Sequence, residues 1–164
     1  KYLLQFERGN AYAPGLQAQL NKVRRIAGLE RSDRGGSMLS DPDFRRRLSE
    51  NEIKVEALNA TELRVFSGRA NGEAMGAVSS MLKLEGSQMQ QAVTELALEA
   101  VGVYKQPFVR DTWEMLRPGG NTFRAGPDYA ATIAPQYFNY RKTSIYAGSN
   151  EIQHNIMAKL VLGL

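Results

Sequence analysis

The chain has 164 residues, 43% of them hydrophobic and 23% charged, which is the composition of a soluble globular domain with a single core. Its formal net charge is +4, but no nucleic-acid-binding motif accompanies the basic clusters at 24–25 and 45–47, so we expect no nucleic-acid partner. The absence of cysteine and the single His154 argue against a metal site and against a Ser-His-Asp triad.

The first half of the chain predicts helices. Residues 1–8 carry no helix-start signal and are followed by Gly9-Asn10, so we interpret them as the end of a helix in a piece of a longer polypeptide. Pro14 begins the next segment, where apolar residues recur at helical spacing to about Leu29. Residues 32–37 are rich in Gly, Ser and Asp and predict a flexible loop.

Two long helices follow. Asp41-Pro42 is a strong helix start, and an apolar stripe from Phe44 to Val65 predicts one helix that ends near 71–72. A second helix is predicted from about 77 to 101. Apolar steps of three and four residues favour antiparallel packing in a bundle, and no stretch alternates as a strand would.

The last third of the chain changes character. Residues 104–129 contain several Pro and Gly breaks and predict a long ordered loop. Helix returns in part from about Tyr129, and a final apolar helix is predicted from Gly148-Ser149 to Gly163. Patterning therefore predicts an all-α fold, an antiparallel four-helix bundle with a long ordered loop. Since no secretory signal and no apolar run of bilayer length occurs, we expect a cytoplasmic protein without membrane contact.

The segment 145–156, IYAGSNEIQHNI, resembles the closing motif of the acyl-CoA dehydrogenases, I-Y-x-G-[ST]-x-x-I-Q-x-x-I. Phe6-Glu7-Arg8 is similar to the family's E-R step, and 83–102 is similar to its helix that leads to a glycine turn. The resemblance covers nearly the whole chain except 104–129, and it implies that this segment is a long inserted loop.

This resemblance implies that residues 1–164 form the C-terminal helical domain of such an enzyme, without its N-terminal helical and middle β domains. The family binds FAD, converts an acyl-CoA thioester into a 2-enoyl-CoA, as in fatty-acid β-oxidation, and passes electrons to an electron-transfer flavoprotein. Its members are dimers or tetramers that associate largely through the C-terminal bundles. We therefore expect FAD, acyl-CoA and such partners here.

By position, Gly148, Ser149, Asn150 and Glu151 match the family's flavin-contacting stretch. From the residues alone, Gly148 permits a close backbone approach, and Ser149 precedes a helix whose free N–H groups suit an electron-rich ligand. The alternative is a plain structural cap. Tyr146 is implied to line the substrate or flavin cavity, with core packing as its alternative.

Three further residues match cofactor contacts in the family. Arg8 matches an arginine that holds the FAD phosphates across the subunit interface; its alternative is a cation at a helix C-terminus. Glu99 and Gly102 match the turn that meets the adenine half of FAD, but Val103 stands where the family has a second glycine. A helix C-cap at Gly102 is the alternative.

The usual catalytic base of the family is missing, because Ala147 stands where many members have glutamate and a methyl group cannot take a proton. The base could lie upstream of Lys1 or in another subunit. Glu151 could also substitute, although it more simply complements the helix N-terminus. A catalytically silent subunit that holds FAD or a partner is therefore the competing function. We expect His154 to face solvent or an interface.

Overall fold

The computed structural model describes residues 11–72, 76–107, 117–120 and 125–164. These ranges contain five α-helices: α1 Ala13–Leu29, α2 Pro42–Ala70, α3 Val78–Ala100, α4 Ile133–Tyr140 and α5 Asn150–Met157. Short 3-10 helices lie at Met38–Ser40, Gly102–Lys105, Asp128–Ala130 and Arg141–Ser144, and a π-helical turn, Ala158–Leu162, extends α5. The predicted all-α fold is confirmed, and the long helices begin and end within a residue or two of the predicted positions.

Asp41 explains why α2 begins where it does. Its Oδ1 atom accepts hydrogen bonds from the backbone N–H groups of Asp43 (2.9 Å) and Phe44 (3.1 Å). The bond from Phe44 is the main reason why the pKa of Asp41 is lowered. Pro42 occupies the first turn, where its missing N–H costs nothing. The capping predicted from the sequence is therefore confirmed.

Two ion pairs define how the long helices run. Arg24 on α1 pairs with Glu52 on α2, while Tyr12, just before α1, donates to Glu62 further along α2. The start of α1 therefore lies near the C-terminal half of α2, and the later part of α1 lies near an earlier part of α2. These two helices are thus antiparallel. Arg47 near the start of α2 pairs with Glu99 near the end of α3, so α2 and α3 are antiparallel as well.

The third helix is the centre of the bundle. It packs against α1 and α2 and also against α4, the 3-10 turn 141–144 and α5. Most of its residues are buried for this reason. The apolar core lies where α1, α2 and α3 meet and includes Leu16, Leu20, Val23, Ile26, Phe44, Leu48, Val55, Leu82, Val93 and Val101. None of the described helices is both long enough and apolar enough to cross a lipid bilayer.

The two ends of the predicted loop 104–129 come together. A Cβ atom on Gly126 would lie 2.5 Å from the Tyr104 ring, so the ring packs directly on the glycine backbone. The Tyr129 hydroxyl then donates to Glu30 at the end of α1 (2.7 Å). Trp113 and Phe123 lie outside the described residues, but both ends of the 104–129 segment are fixed to the bundle.

Candidate functional site

The turn before α5 has an unusual backbone. Ala147 has a φ of 57° and Gly148 a φ of 86°, so two consecutive residues lie in the left-handed region. Alanine rarely adopts this conformation because its Cβ atom crowds the backbone, so surrounding contacts have to hold it. Both residues are exposed. We call residues 147–149 the turn before α5.

Gln153 supplies those contacts. Its side chain is buried (2% exposed), and its Nε2 atom donates to the carbonyl oxygens of Ala147 (3.1 Å) and Gly148 (3.3 Å). A Cβ atom on Gly148 would lie 2.7 Å from this nitrogen, so a side chain at position 148 would displace the Gln153 amide and would also be strained by the left-handed φ. Gln153 belongs to the motif at 145–156, but the sequence assigns it no role, since its partners are visible only in three dimensions.

Asn150 anchors the first turn of α5 to α3. Its Oδ1 atom accepts hydrogen bonds from the Lys83 ammonium (2.7 Å) and the Ser87 hydroxyl (3.1 Å). Lys83 is 7% exposed and also donates to the Ser144 carbonyl (3.4 Å). Burial lowers the pKa of Lys83, and the Glu151 carboxylate opposes that shift. The Asn150 side chain thus faces the bundle, and its oxygen is occupied.

Ser149 and Glu151 complete the start of α5. Ser149 is the N-cap residue, as predicted, but its side chain makes no capping hydrogen bond. Glu151 is exposed, and hydrogen bonds from its own backbone N–H and then from Ser149 lower its pKa. A carboxylate held ionised in this way is a weak proton acceptor. Its geometry suits a charge that complements a helix N-terminus.

An open groove lies beside Tyr146. It has a volume of about 380 Å³, which is in the usual range for small-molecule sites. The groove is lined by Ala11, Tyr12, Gly15, Leu16, Gln19, Gln90, Tyr140 and Tyr146. Burial, followed by the effect of Tyr140, raises the pKa of Tyr146. Burial and then Tyr146 raise the pKa of Tyr12, so these phenols stay neutral around neutral pH.

Glu99 and Gly102 lie far from this turn. Both Glu99 oxygens accept from the Arg47 guanidinium at 2.6 Å. Gly102 has a φ of 55° directly after α3, the conformation of a helix C-terminal glycine. Twelve residues of α3 separate Ser87 from Glu99, which corresponds to about 18 Å along the helix axis.

The two remaining positions that the sequence singled out are Arg8 and His154. Arg8 lies outside the described residues. His154 is exposed, as the sequence analysis expected. The structure therefore brings Tyr146 and residues 147–151 together at one corner and leaves Glu99 and Gly102 at the other end of α3.

Comparison with known proteins identifies the fold. Residues 3–162 match the family described as "Acyl-CoA dehydrogenase, C-terminal domain". The chain belongs to the acyl-CoA dehydrogenase family. A curated relative, acyl-CoA dehydrogenase IpdE1 of Mycobacterium tuberculosis (strain ATCC 25618 / H37Rv), is 27% identical over 98% of the chain. The chain spans 36% of the length of that relative.

Solved structures show the same helical arrangement as this acyl-CoA dehydrogenase domain. A structure of PigA with FAD and proline has a TM-score of 0.73 at 18% identity, over 98% of this chain and 37% of that chain. The ChsE4-ChsE5 complex from Mycobacterium tuberculosis has a TM-score of 0.66 at 17% identity, over 91% of this chain and 35% of that chain. At these identities the likeness establishes the fold alone.

Proposed function

We propose that this chain is the C-terminal domain of an FAD-dependent enzyme that oxidises an acyl-CoA thioester to the 2-enoyl-CoA. The observation that carries the proposal is the exposed turn before α5, held by Gln153 next to an open groove. The family match covers nearly the whole chain, whereas the chain spans only 36% of the relative. We accordingly propose that further domains of the same polypeptide complete the site.

The exposed turn fits a flavin cofactor. Gly148 and Ser149 leave their backbone accessible, and the N-terminus of α5 carries free N–H groups and a partial positive charge. When bound, FAD supplies the hydride acceptor for the oxidation. We propose that residues 148–151 contact it and that Tyr146 lines the cavity for substrate. Glu99 and Gly102 are proposed to meet the adenine portion, in keeping with their distance from the turn, and Arg8 is proposed to hold the phosphates.

The proton acceptor has to lie elsewhere. Ala147 cannot act as a base, and Glu151 is held ionised by two hydrogen-bond donors. A carboxylate outside the described residues, upstream in the same polypeptide or in another subunit, is the group that we propose for this role. The described residues would then bind and orient the cofactor without moving the proton.

Exposed apolar side chains support an oligomer. Phe138, Ile145, Leu160, Val161 and Leu162 are each more than 60% exposed and lie on α4, before α5 and on the π-helical turn. Apolar side chains so exposed on successive segments of the chain commonly mark an interface. We propose a dimer or tetramer in which this surface meets another subunit, and an electron-transfer flavoprotein as the partner that reoxidises the flavin.

A second candidate function is a catalytically silent subunit that holds FAD for a partner subunit. Ala147 at the usual position of the base favours it. The ChsE4-ChsE5 complex, which contains a chain of this fold, is an assembly of two differently named proteins. This candidate predicts flavin without turnover when the polypeptide is purified alone.

The experiment uses the full polypeptide that carries this domain. Bound flavin gives a visible absorption band. An acyl-CoA substrate should reduce the flavin and bleach this band, and an artificial electron acceptor should then reoxidise the flavin and restore it. Flavin that no acyl-CoA bleaches would favour the silent subunit, and a protein with no flavin would refute both candidates. We expect the 164-residue domain alone to bind flavin weakly, because the other domains that would cover the cofactor are missing. Tight stoichiometric binding in a flavin titration would contradict this expectation.

A further inference from the structure

The peptide groups of the turn before α5 are oriented from inside the bundle. The carbonyl oxygens of Ala147 and Gly148 both point to the buried Nε2 atom of Gln153, at 3.1 and 3.3 Å. The opposite orientation of this amide would place its oxygen against two carbonyl oxygens, so hydrogen bonding fixes the orientation.

The N–H groups of the same two peptides point the other way. In a planar trans peptide the C=O and N–H bonds are opposed, and the described backbone contains no cis peptide. The N–H of Gly148 shares a peptide with the Ala147 carbonyl, and the N–H of Ser149 shares one with the Gly148 carbonyl. Since both carbonyls face the core, both N–H groups face outward. Neither donates to an acceptor in the described part of the chain.

We infer that Gln153 is a positioning residue that presents the N–H groups of Gly148 and Ser149, side by side, to an oxygen atom of the bound flavin. This inference rests on the proposed function, because it takes FAD as the ligand of the turn. In this arrangement Ala147 adopts a left-handed φ, which costs conformational free energy. The two hydrogen bonds from Gln153 offset that cost. Two fixed donors side by side suit an oxygen with developing or partial negative charge.

The test compares glutamine substitutions in the full polypeptide. Gln153→Met keeps the length of the side chain but removes the donor, and Gln153→Glu places an acceptor against the two carbonyls. Gln17→Met is the matched control, because Gln17 on α1 also has a buried amide oxygen without a partner, but its amide nitrogen donates to Asn21 on the same helix and not to the turn. We expect both Gln153 variants to bind FAD about tenfold more weakly, as expected for losing two hydrogen bonds, and to alter the shape of the visible flavin band. Gln17→Met should change neither.

A second measurement needs no variant. Hydrogen exchange of the peptide that covers 147–152 should slow when FAD binds the unchanged protein, because the two outward N–H groups gain an acceptor. Equal exchange with and without FAD would overturn the inference even if the Gln153 variants failed to fold. An unchanged FAD affinity and band shape in Gln153→Met would overturn it as well, while leaving the proposed function intact. Absence of flavin from the unchanged protein would overturn both.

Discussion

The Glu62 carboxylate on α2 accepts a 2.7 Å hydrogen bond from the backbone N–H of Tyr12, which lies 50 residues earlier in the chain. The N–H of Ala13 also donates to this carboxylate, at 3.2 Å to Oε2. Tyr12 is the N-cap residue of α1, but its side chain makes no capping hydrogen bond. The buried Glu62 carboxylate of the neighbouring helix takes the place of that cap. The start of α1 is thereby tied to α2.

Glu62→Ala should therefore lower the free energy of unfolding by about 2–3 kcal/mol, because buried N–H groups lose a charged acceptor. Glu62→Gln keeps one acceptor oxygen and should lose about half as much. The control is Glu56→Ala, at an exposed position of the same helix, which should stay within about 0.5 kcal/mol of the unchanged chain. Denaturant unfolding measures all three, and equal effects of Glu62→Ala and Glu56→Ala would refute the capping role.

Gly86 makes a second testable contact with Tyr12. A Cβ atom on Gly86 would lie 2.6 Å from the Cδ1 atom of Tyr12, so the ring rests on the glycine backbone of α3. Gly86→Ala should therefore destabilise the bundle by about 1–3 kcal/mol through overpacking. Gly15→Ala, on α1 with no atom within 4 Å of the added Cβ, should instead stabilise it by about 0.5–1 kcal/mol. Thermal unfolding should therefore show a lower melting temperature for Gly86→Ala and a higher one for Gly15→Ala. A Gly86→Ala variant of unchanged stability would mean that the Tyr12 ring moves aside freely.

The sequence predicted those features that depend on neighbours along the chain. The cap at Asp41 and the apolar spacing of α1 give the correct helices, because helix starts and buried faces are set by local residue patterns. Gln153 and Glu62 escaped prediction, since their partners are chosen by three-dimensional packing that a local pattern does not contain. Ile152, Leu160 and Val161 belong to the final apolar helix that the sequence predicts, but they are more than half exposed in this chain. An apolar stripe does not say which surface will cover it.

Tyr129 should make the stability depend on pH in the alkaline range. Burial, with the hydrogen bond to Glu30, raises its pKa from 10.0 to about 12. The folded state thus favours the neutral phenol, and its stabilising contribution is complete below the unfolded pKa of about 10 and is lost as the pH rises towards about 12. Because the side chain is partly exposed, we expect the loss to be no more than about 1 kcal/mol.

The measurement for Tyr129 is the difference in unfolding free energy between the unchanged chain and Tyr129→Phe, followed from neutral to alkaline pH. Taking the difference removes the titration of the other tyrosines and lysines. The difference should be constant below about pH 10 and should then fall. A difference that does not change with pH would show that the phenol titrates alike in the folded and unfolded states.

Asn150 offers the clearest test of how α5 is attached to the bundle. Its side-chain oxygen is shared by Lys83 and Ser87, so Asn150→Ala leaves a buried ammonium with only the 3.4 Å bond to Ser144. We expect a loss of about 2–3 kcal/mol in the free energy of unfolding, because a charged donor loses its better partner. Asn155→Ala, on an exposed face of the same helix, is the control and should change stability by less than about 0.5 kcal/mol. Asn150→Asp keeps the acceptor and places a negative charge opposite Lys83, so it should lose less than Asn150→Ala and should raise the pKa of Lys83. If aspartate and alanine at position 150 destabilised the chain equally, the oxygen acceptor could not be what holds α5 against α3.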